Sequence, residues 1–232
     1  MSKAGQWLSA NIRPILLWVM GMILCPLGVA FSEKGGFGVS MIEAPVYVVY
    51  LKVSEHYAWY TFGMSEYILQ ALVLALMCVI IRRFRWKYLL SFLTAVLYGF
   101  ILDGWRAVLA GGNYEAMPVR IVCAILGIVV TAFAVACFLR TWLPQEVWEL
   151  FVKEVSERYH WDMTKVKWIY DLSSLALGIL LMFILLGGFR WSAIGIGTLI
   201  TTLVNAPIIG LFGKLLDGLQ TIPKKREETH GN

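Results

Sequence analysis

The sequence predicts an all-α integral membrane protein: six transmembrane helices forming a 3+3 inverted repeat, with two interfacial amphipathic helices. Three observations predict it. Of 232 residues, 59% are hydrophobic and only 15% charged, where a soluble domain carries about 25% charged residues. The mean hydropathy is +0.71, and the apolar residues fall into runs near the roughly 20 residues needed to cross a bilayer. Short stretches of the first half recur in the second at nearly constant offset.

The runs place spans near 14–31, 66–82, 87–105, 119–140, 168–187 and 192–213. The first, after Lys3 and Arg13, contains Pro26 and lacks a small-x-small site, so it reads as a membrane helix rather than a leader. Trp7, Trp18, Trp86, Trp105, Trp142, Trp168 and Trp191 sit at span edges, where aromatic belts form. Nothing remains for a soluble domain, so residues 1–232 form one membrane domain. Cys25, Cys78, Cys123 and Cys137 lie in apolar runs without C-x-x-C spacing, as buried thiols do.

Orientation follows from Lys and Arg. With the N-terminus inside, the inner segments hold Lys3, Arg13, Arg82, Arg83, Arg85, Lys87, Arg140, Lys153, Arg158, Lys165, Lys167, Lys214, Lys224, Lys225 and Arg226, fifteen in all. The outer segments hold Lys34, Lys52, Arg106, Arg120 and Arg190. This bias predicts both termini inside and explains the net charge of +5 without nucleic acid.

Two segments are amphipathic. In 144–159, Val147, Trp148, Phe151, Val152 and Val155 share a helical face opposite Glu149, Lys153, Glu154 and Glu157, with a start at Pro144. Residues 40–57, after Gly35-Gly36-Phe37-Gly38, are more apolar and read as a helix in the outer interface or dipping into the membrane. The two are related. Val53-Ser54-Glu55-His56-Tyr57-Ala58-Trp59 matches Val155-Ser156-Glu157-Arg158-Tyr159-His160-Trp161 at five of seven positions, and Phe84-Arg85-Trp86 matches Phe189-Arg190-Trp191. The halves are then 14–105 and 119–217. A three-span unit repeated once arrives upside down, an architecture found among secondary transporters.

Candidate site residues follow from polarity inside spans. Thr198, Thr201 and Asn205 form a stripe on the sixth span beside Pro207, either a substrate path or a packing face. Asp171, followed by Ser173 and Ser174, is a site group or an interface acid near Lys167. Asp103, one turn after Gly99, lines a site or pairs with Arg106 or Arg120. Glu43 binds a ligand or closes a capping box with Ser40. Tyr47 and Tyr50, with Phe37, Tyr57, Trp59, Tyr60 and Phe62, form a cage for a cationic or flat ligand or an interfacial belt. His56 and His160 show no metal-ligand spacing, Gly195-Ile196-Gly197 lacks the rest of a dinucleotide motif, and no catalytic constellation is present. No enzyme, cofactor or metal is expected.

The Gly-Phe-Gly-Val-Ser segment and the pattern Gly195–Leu199 to Gly210–Phe212 resemble the YitT and YczE group of bacterial membrane proteins. The resemblance implies a bacterial cytoplasmic membrane and the presumed activity of transport, and supplies no catalytic residue. The functional expectation is a small secondary transporter of an organic metabolite working by alternating access. Its partners are a small-molecule substrate, the lipid bilayer, and a second copy or, for the rival reading of a substrate-capturing subunit, a separate ATPase. A second rival is a non-transporting scaffold or regulator. A reporter active only outside the membrane, fused after Asn232, should be silent; activity there would shift the span count by one.

Overall fold

The computed structural model describes residues 3–218, with side chains from residue 12 onward. Lys224, Lys225, Arg226 and the indole of Trp7 lie outside the described residues. Eight α-helices follow one another: α1 Lys3–Gly35, α2 Ala44–Ser54, α3 Phe62–Ile81, α4 Tyr88–Val108, α5 Met117–Phe138, α6 Val147–Tyr159, α7 Met163–Leu186 and α8 Ile196–Gly218. No strand occurs among the described residues. Six helices contain spans of 20 to 24 residues with an apolar mean hydropathy, about 30–36 Å at 1.5 Å per residue, which matches the hydrocarbon core. They make this a multi-pass membrane protein.

Helix ends follow local chemistry. The Thr61 hydroxyl accepts from the Met64 amide at 3.1 Å and starts α3 four residues before the predicted span. Asp162 accepts from the Lys165 amide at 3.0 Å and starts α7 five residues early. Arg82 and His160 close α3 and α6 in the left-handed region, with φ of 51° and 54°. The second short helix begins at Val147 rather than Pro144. Pro144 lies in the preceding linker, where its carbonyl accepts from the indole of Trp18 at 2.8 Å and the hydroxyl of Thr94 at 3.3 Å.

Packing is inside-out relative to a soluble protein. Leu72, Leu76 and Val79 on α3 and Leu93, Leu97 and Phe100 on α4 face outward, while Ser65, Glu66, Gln70, Ser91 and Thr94 are buried. Glycines set the two closest crossings. A Cβ on Gly28 would stand 3.0 Å from the Gly127 carbonyl where α1 crosses α5, and one on Gly99 would stand 2.6 Å from the Gly63 carbonyl where α4 crosses α3. Small residues at such contacts let membrane helices approach backbone to backbone. What Gly99 admits is therefore Gly63.

The two short helices start deep. Gly178, near the middle of α7, has no room for a side chain because Ala44 Cβ and Pro45 N would lie 3.1 and 3.2 Å from it. Gln70, near the middle of α3, accepts from the Val147 amide at 3.0 Å. So α2 and α6 both begin about halfway along the bundle. The C-terminal part of α2 meets Arg106 and Phe62 at the end of the bundle formed by the C-terminus of α1. The C-terminus of α6 reaches Ile80 at the other end, through the Tyr159 hydroxyl at 2.8 Å. Eleven and thirteen residues give about 16 and 20 Å, half a membrane each. Helix 40–57 dips inward, and 144–159 does so as well instead of lying flat: its apolar face of Val147, Trp148, Val152 and Val155 is covered by protein.

Gly28→Leu should lower the melting temperature in detergent by an amount corresponding to about 1–3 kcal/mol of overpacking or more, whereas Gly104→Ala, with nothing within 4 Å, should leave it unchanged.

Candidate functional site

Where the starts of α2 and α6 converge, the interior holds a polar centre. Gln70 organises it. Its Nε2 donates to Glu146 Oε2 at 2.7 Å and more weakly to Glu66 Oε2 at 3.4 Å. Its Oε1 accepts from the Val147 amide. Its three hydrogen bonds thus tie α3 to the start of α6. Tyr98 of α4 donates a long bond of 3.5 Å to Glu43 Oε1, at the residue preceding α2. Glu43 and Glu149 stand close enough to Glu66 to act on its carboxyl, and Glu66, Glu43 and Glu149 act likewise on Glu146.

Two features make this centre chemically unusual. Glu66 is fully buried, yet its Oε1 has no hydrogen-bond partner, which in a dry interior is costly. The base whose charge reaches Glu149 is Lys167, and Asp171 holds it at 2.8 Å. Four carboxyl groups that see one another across a low-dielectric interior do not all carry charge without protons or a cation among them.

The predicted site residues fall into separate places. Glu43 belongs to the centre; its amide also donates to Ser40 Oγ at 3.4 Å, the local half of the expected capping relation. Asp171 pairs with Lys167 one turn away. Asp103 accepts from the Thr61 hydroxyl at 2.5 Å and the Gly63 amide at 2.9 Å, with Arg106 at 3.9 Å. It ties α3 to α4, while Arg120 donates instead to the carbonyls of Gly35 and Gly36.

Tyr47 and Tyr50 cluster with Phe62, with ring centroids 5.1 to 5.8 Å apart. The cation over this aromatic set is the chain's own Arg106, 4.5 Å above Tyr50 and 5.7 Å from Phe62. Arg106 donates to both Glu33 carboxylate oxygens, at 2.7 and 2.9 Å, and to the Tyr50 hydroxyl at 2.6 Å. At the other end of the bundle, Arg140 grips Asp217 at 2.6 and 2.8 Å. Those bonds hold the Arg140 guanidinium above its ordinary pKa.

Thr198 is buried, donating to the Val39 carbonyl at 2.7 Å and accepting from the Gly195 amide at 3.3 Å. Thr201 and Asn205 are half-buried further along α8. Helix α8 packs along α5 and meets the linker before α2 at its first turn. Asn205 Oδ1 is buried there without a partner, and no hydrogen bond among the described residues joins it to the acidic centre.

Glu66, Gln70 and Glu146 were missed in the sequence. Glu66 coincides with the predicted edge of the second span, 66–82. The available signal was Glu66 and Gln70 at i and i+4 on one face of an apolar helix, together with an acid before each short helix. No group of three or more His, Cys, Asp and Glu side chains among the described residues is arranged to hold a metal ion.

Gln70→Leu should lower the melting temperature markedly, because it orphans the Val147 amide and the Glu146 carboxyl at about 1–3 kcal/mol each. Gln70→Glu, which keeps an acceptor for Val147, should cost less at low pH than at high pH. Equal losses at both would show that the added carboxyl does not feel the others.

No curated protein and no solved structure matches the chain. The model of a family of unknown function, DUF6198, matches residues 12–214, and the chain belongs to that family.

Proposed function

We propose that the protein is a small secondary transporter that moves an organic metabolite by alternating access, and that the acidic centre is its substrate site. The observation that carries this reading is the pair of half-length helices. Both begin at mid-depth beside one buried polar centre and leave towards opposite ends. Irregular backbone at membrane depth survives only where protein or a wet cavity satisfies it, and discontinuous helices meeting at mid-depth are how such carriers build a site.

Packing supports two inverted halves, 14–105 and 119–217. Exchanging α1 with α5, α2 with α6, α3 with α7 and α4 with α8 maps the α1–α4 interface onto α5–α8 and the α2–α7 interface onto α6–α3. It also relates two hydrogen bonds. Thr94 donates to the Pro144 carbonyl and Thr198 to the Val39 carbonyl, at sequence offsets of 104 and 105. The ion pairs Glu33–Arg106 and Arg140–Asp217 join the same helix pairs at opposite ends with the charges exchanged. They suit two gates, each closing one side while the other opens.

In this reading the termini are inside a bacterial cytoplasmic membrane, as the Lys and Arg bias and the YitT/YczE resemblance suggest. Neither enzyme chemistry nor a cofactor is involved. Asn205, Thr198 and Thr201 belong to the α5–α8 face and would act on its movement.

Single cysteines at Glu55 and Glu157, on a background lacking the four native ones, test the inversion. An impermeant reagent added outside should label the first and spare the second; equal labelling removes the inverted repeat. Solute flux into proteoliposomes tests transport. Absence of flux together with a copurifying ATPase would transfer the centre to an importer's capture subunit.

A further inference from the structure

An apolar groove lies beside the acidic centre, walled by the same helices. Pro45, Leu69, Trp148, Phe151, Tyr170 and Ser174, from α2, α3, α6 and α7, line a cavity of about 490 Å³, within the range of small-molecule sites. Centre and groove share their walls. Glu66, Leu69, Gln70 and Val73 fall on one face of α3 at helical spacing, and Leu69 and Val73 face the groove. Pro45 follows Glu43 by two residues, and Trp148 lies between Glu146 and Glu149. Tyr170 stands between the two regions: its ring packs 4.9 Å from that of Phe151 in the groove wall, while its hydroxyl bonds Ser174 and feels the charges of Glu149 and Glu66.

The chemistry of this combination selects a ligand. A groove with almost no polar lining recognises an apolar body. Behind its α3 and α6 walls lie the carboxyl groups of the centre, one of which has an oxygen with no hydrogen-bond partner among the described residues. Anions are refused by the carboxylates, and a small neutral polar solute finds nothing along the groove to bond. A cation with an apolar body fits both parts.

We propose that centre and groove form one site for an amphiphilic organic cation, its charge at Glu66 and its apolar body between α2, α3, α6 and α7, taken in exchange for a proton. The exchange is balanced: Glu66–COOH releases H⁺ to water, and the carboxylate pairs with the arriving cation. The groups that face Glu66 are Glu43 before α2, Gln70 on its own helix, Tyr98 on α4, Glu146 and Glu149 on α6, and Tyr170 on α7. None of these is a base, and Lys167 is engaged by Asp171. The base whose charge reaches the centre is therefore already paired when the cation arrives. This inference deepens the transporter reading and rests on it for the claim that the bound molecule is cargo.

The probe is tetraphenylphosphonium, whose charge does not change with pH, so any pH dependence of its binding belongs to the protein. Calorimetry on the purified full-length chain should show binding with about one proton released, and affinity that rises up to about tenfold per pH unit while the carboxyl titrates. Neutral triphenylphosphine oxide should bind weakly and without that dependence. Glu66→Gln should bind tetraphenylphosphonium at least tenfold more weakly and release no proton, whereas Glu66→Asp should retain both properties. Leu177→Trp, at the exposed rim of the groove, should weaken binding and keep the proton release.

The proposal is overturned if tetraphenylphosphonium does not bind, if it binds independently of pH, or if Glu66→Gln binds it like the native chain. Should Glu66→Gln fail to fold, the native pH series and Glu66→Asp decide. Failure of the transport reading is separate: proton-releasing binding without flux in proteoliposomes leaves the site and removes the carrier. Flux of a neutral or anionic solute by a chain that does not bind the phosphonium leaves the carrier and removes the cation site.

Discussion

A peptide group inside a membrane has no water to bond, and this constraint governs the linkers 36–43 and 139–146. Both carry non-helical backbone into the bundle, and both are met by side chains and backbone sent to receive it. Trp18 and Thr94 bond the Pro144 carbonyl, Gln145 Nε2 caps the Phe138 carbonyl at 2.6 Å, and Gln70 takes the Val147 amide. In the other half, Gly197 N donates to the Phe37 carbonyl at 2.8 Å, Thr198 bonds Val39, and Arg120 bonds Gly35 and Gly36. The polar residues of this apolar chain are concentrated where the helices break. Their first duty is to make the breaks possible, and the acidic centre is built on the positions that result.

The two halves satisfy this constraint with different tightness. Helices α3 and α4 touch at Gly63 and Gly99 and are locked by Asp103 bonding Thr61 and Gly63. Their counterparts α7 and α8 share no comparable interface, and α8 rests on α5. The same helical elements are thus clamped on one side and separated on the other. On the proposed carrier reading, such unequal packing corresponds to one conformation of a pair.

Much of the fold was legible because hydropathy and length report directly on what lipid requires. The six spans and the apolar face of α6 stand in the sequence. Depth does not. Residues 144–159 have the pattern of an interfacial helix, since one face is covered either way; protein on that face and lipid headgroups on it select the same residues. The site was legible at Glu43 alone. Glu66 was taken for a span boundary because Thr61, the true start of α3, is a cap that hydropathy does not register. Of the seven aromatics expected together, Tyr47, Tyr50 and Phe62 cluster while Tyr57, Trp59 and Tyr60 form a separate group, and the cation over the first set is Arg106, forty-four residues after Phe62 in the chain, a pairing that no local pattern announces. Asn205 is polar at mid-span, and that marks a buried face without saying which helix covers it.

The charge balance of the centre connects the architecture to its chemistry. Each short helix points its N-terminus, the positive end of its dipole, into the middle of the bundle. Glu43 and Glu146 occupy the residues immediately before those ends, though neither side chain caps its helix. The helix ends therefore favour negative charge at these two positions, while Gln70 donates its amide hydrogens to Glu146 and Glu66. Glu66 differs from both: it sits inside a continuous helix, has no helix end facing it from its own segment, and keeps one oxygen unbonded. Glu66 is the acid of the centre with an oxygen left unbonded, and on the cation-exchange proposal it is where an arriving cation replaces a proton. Half-helices that converge at mid-depth thus set Glu43 and Glu146 beside helix ends and leave Glu66 to the side chains around it.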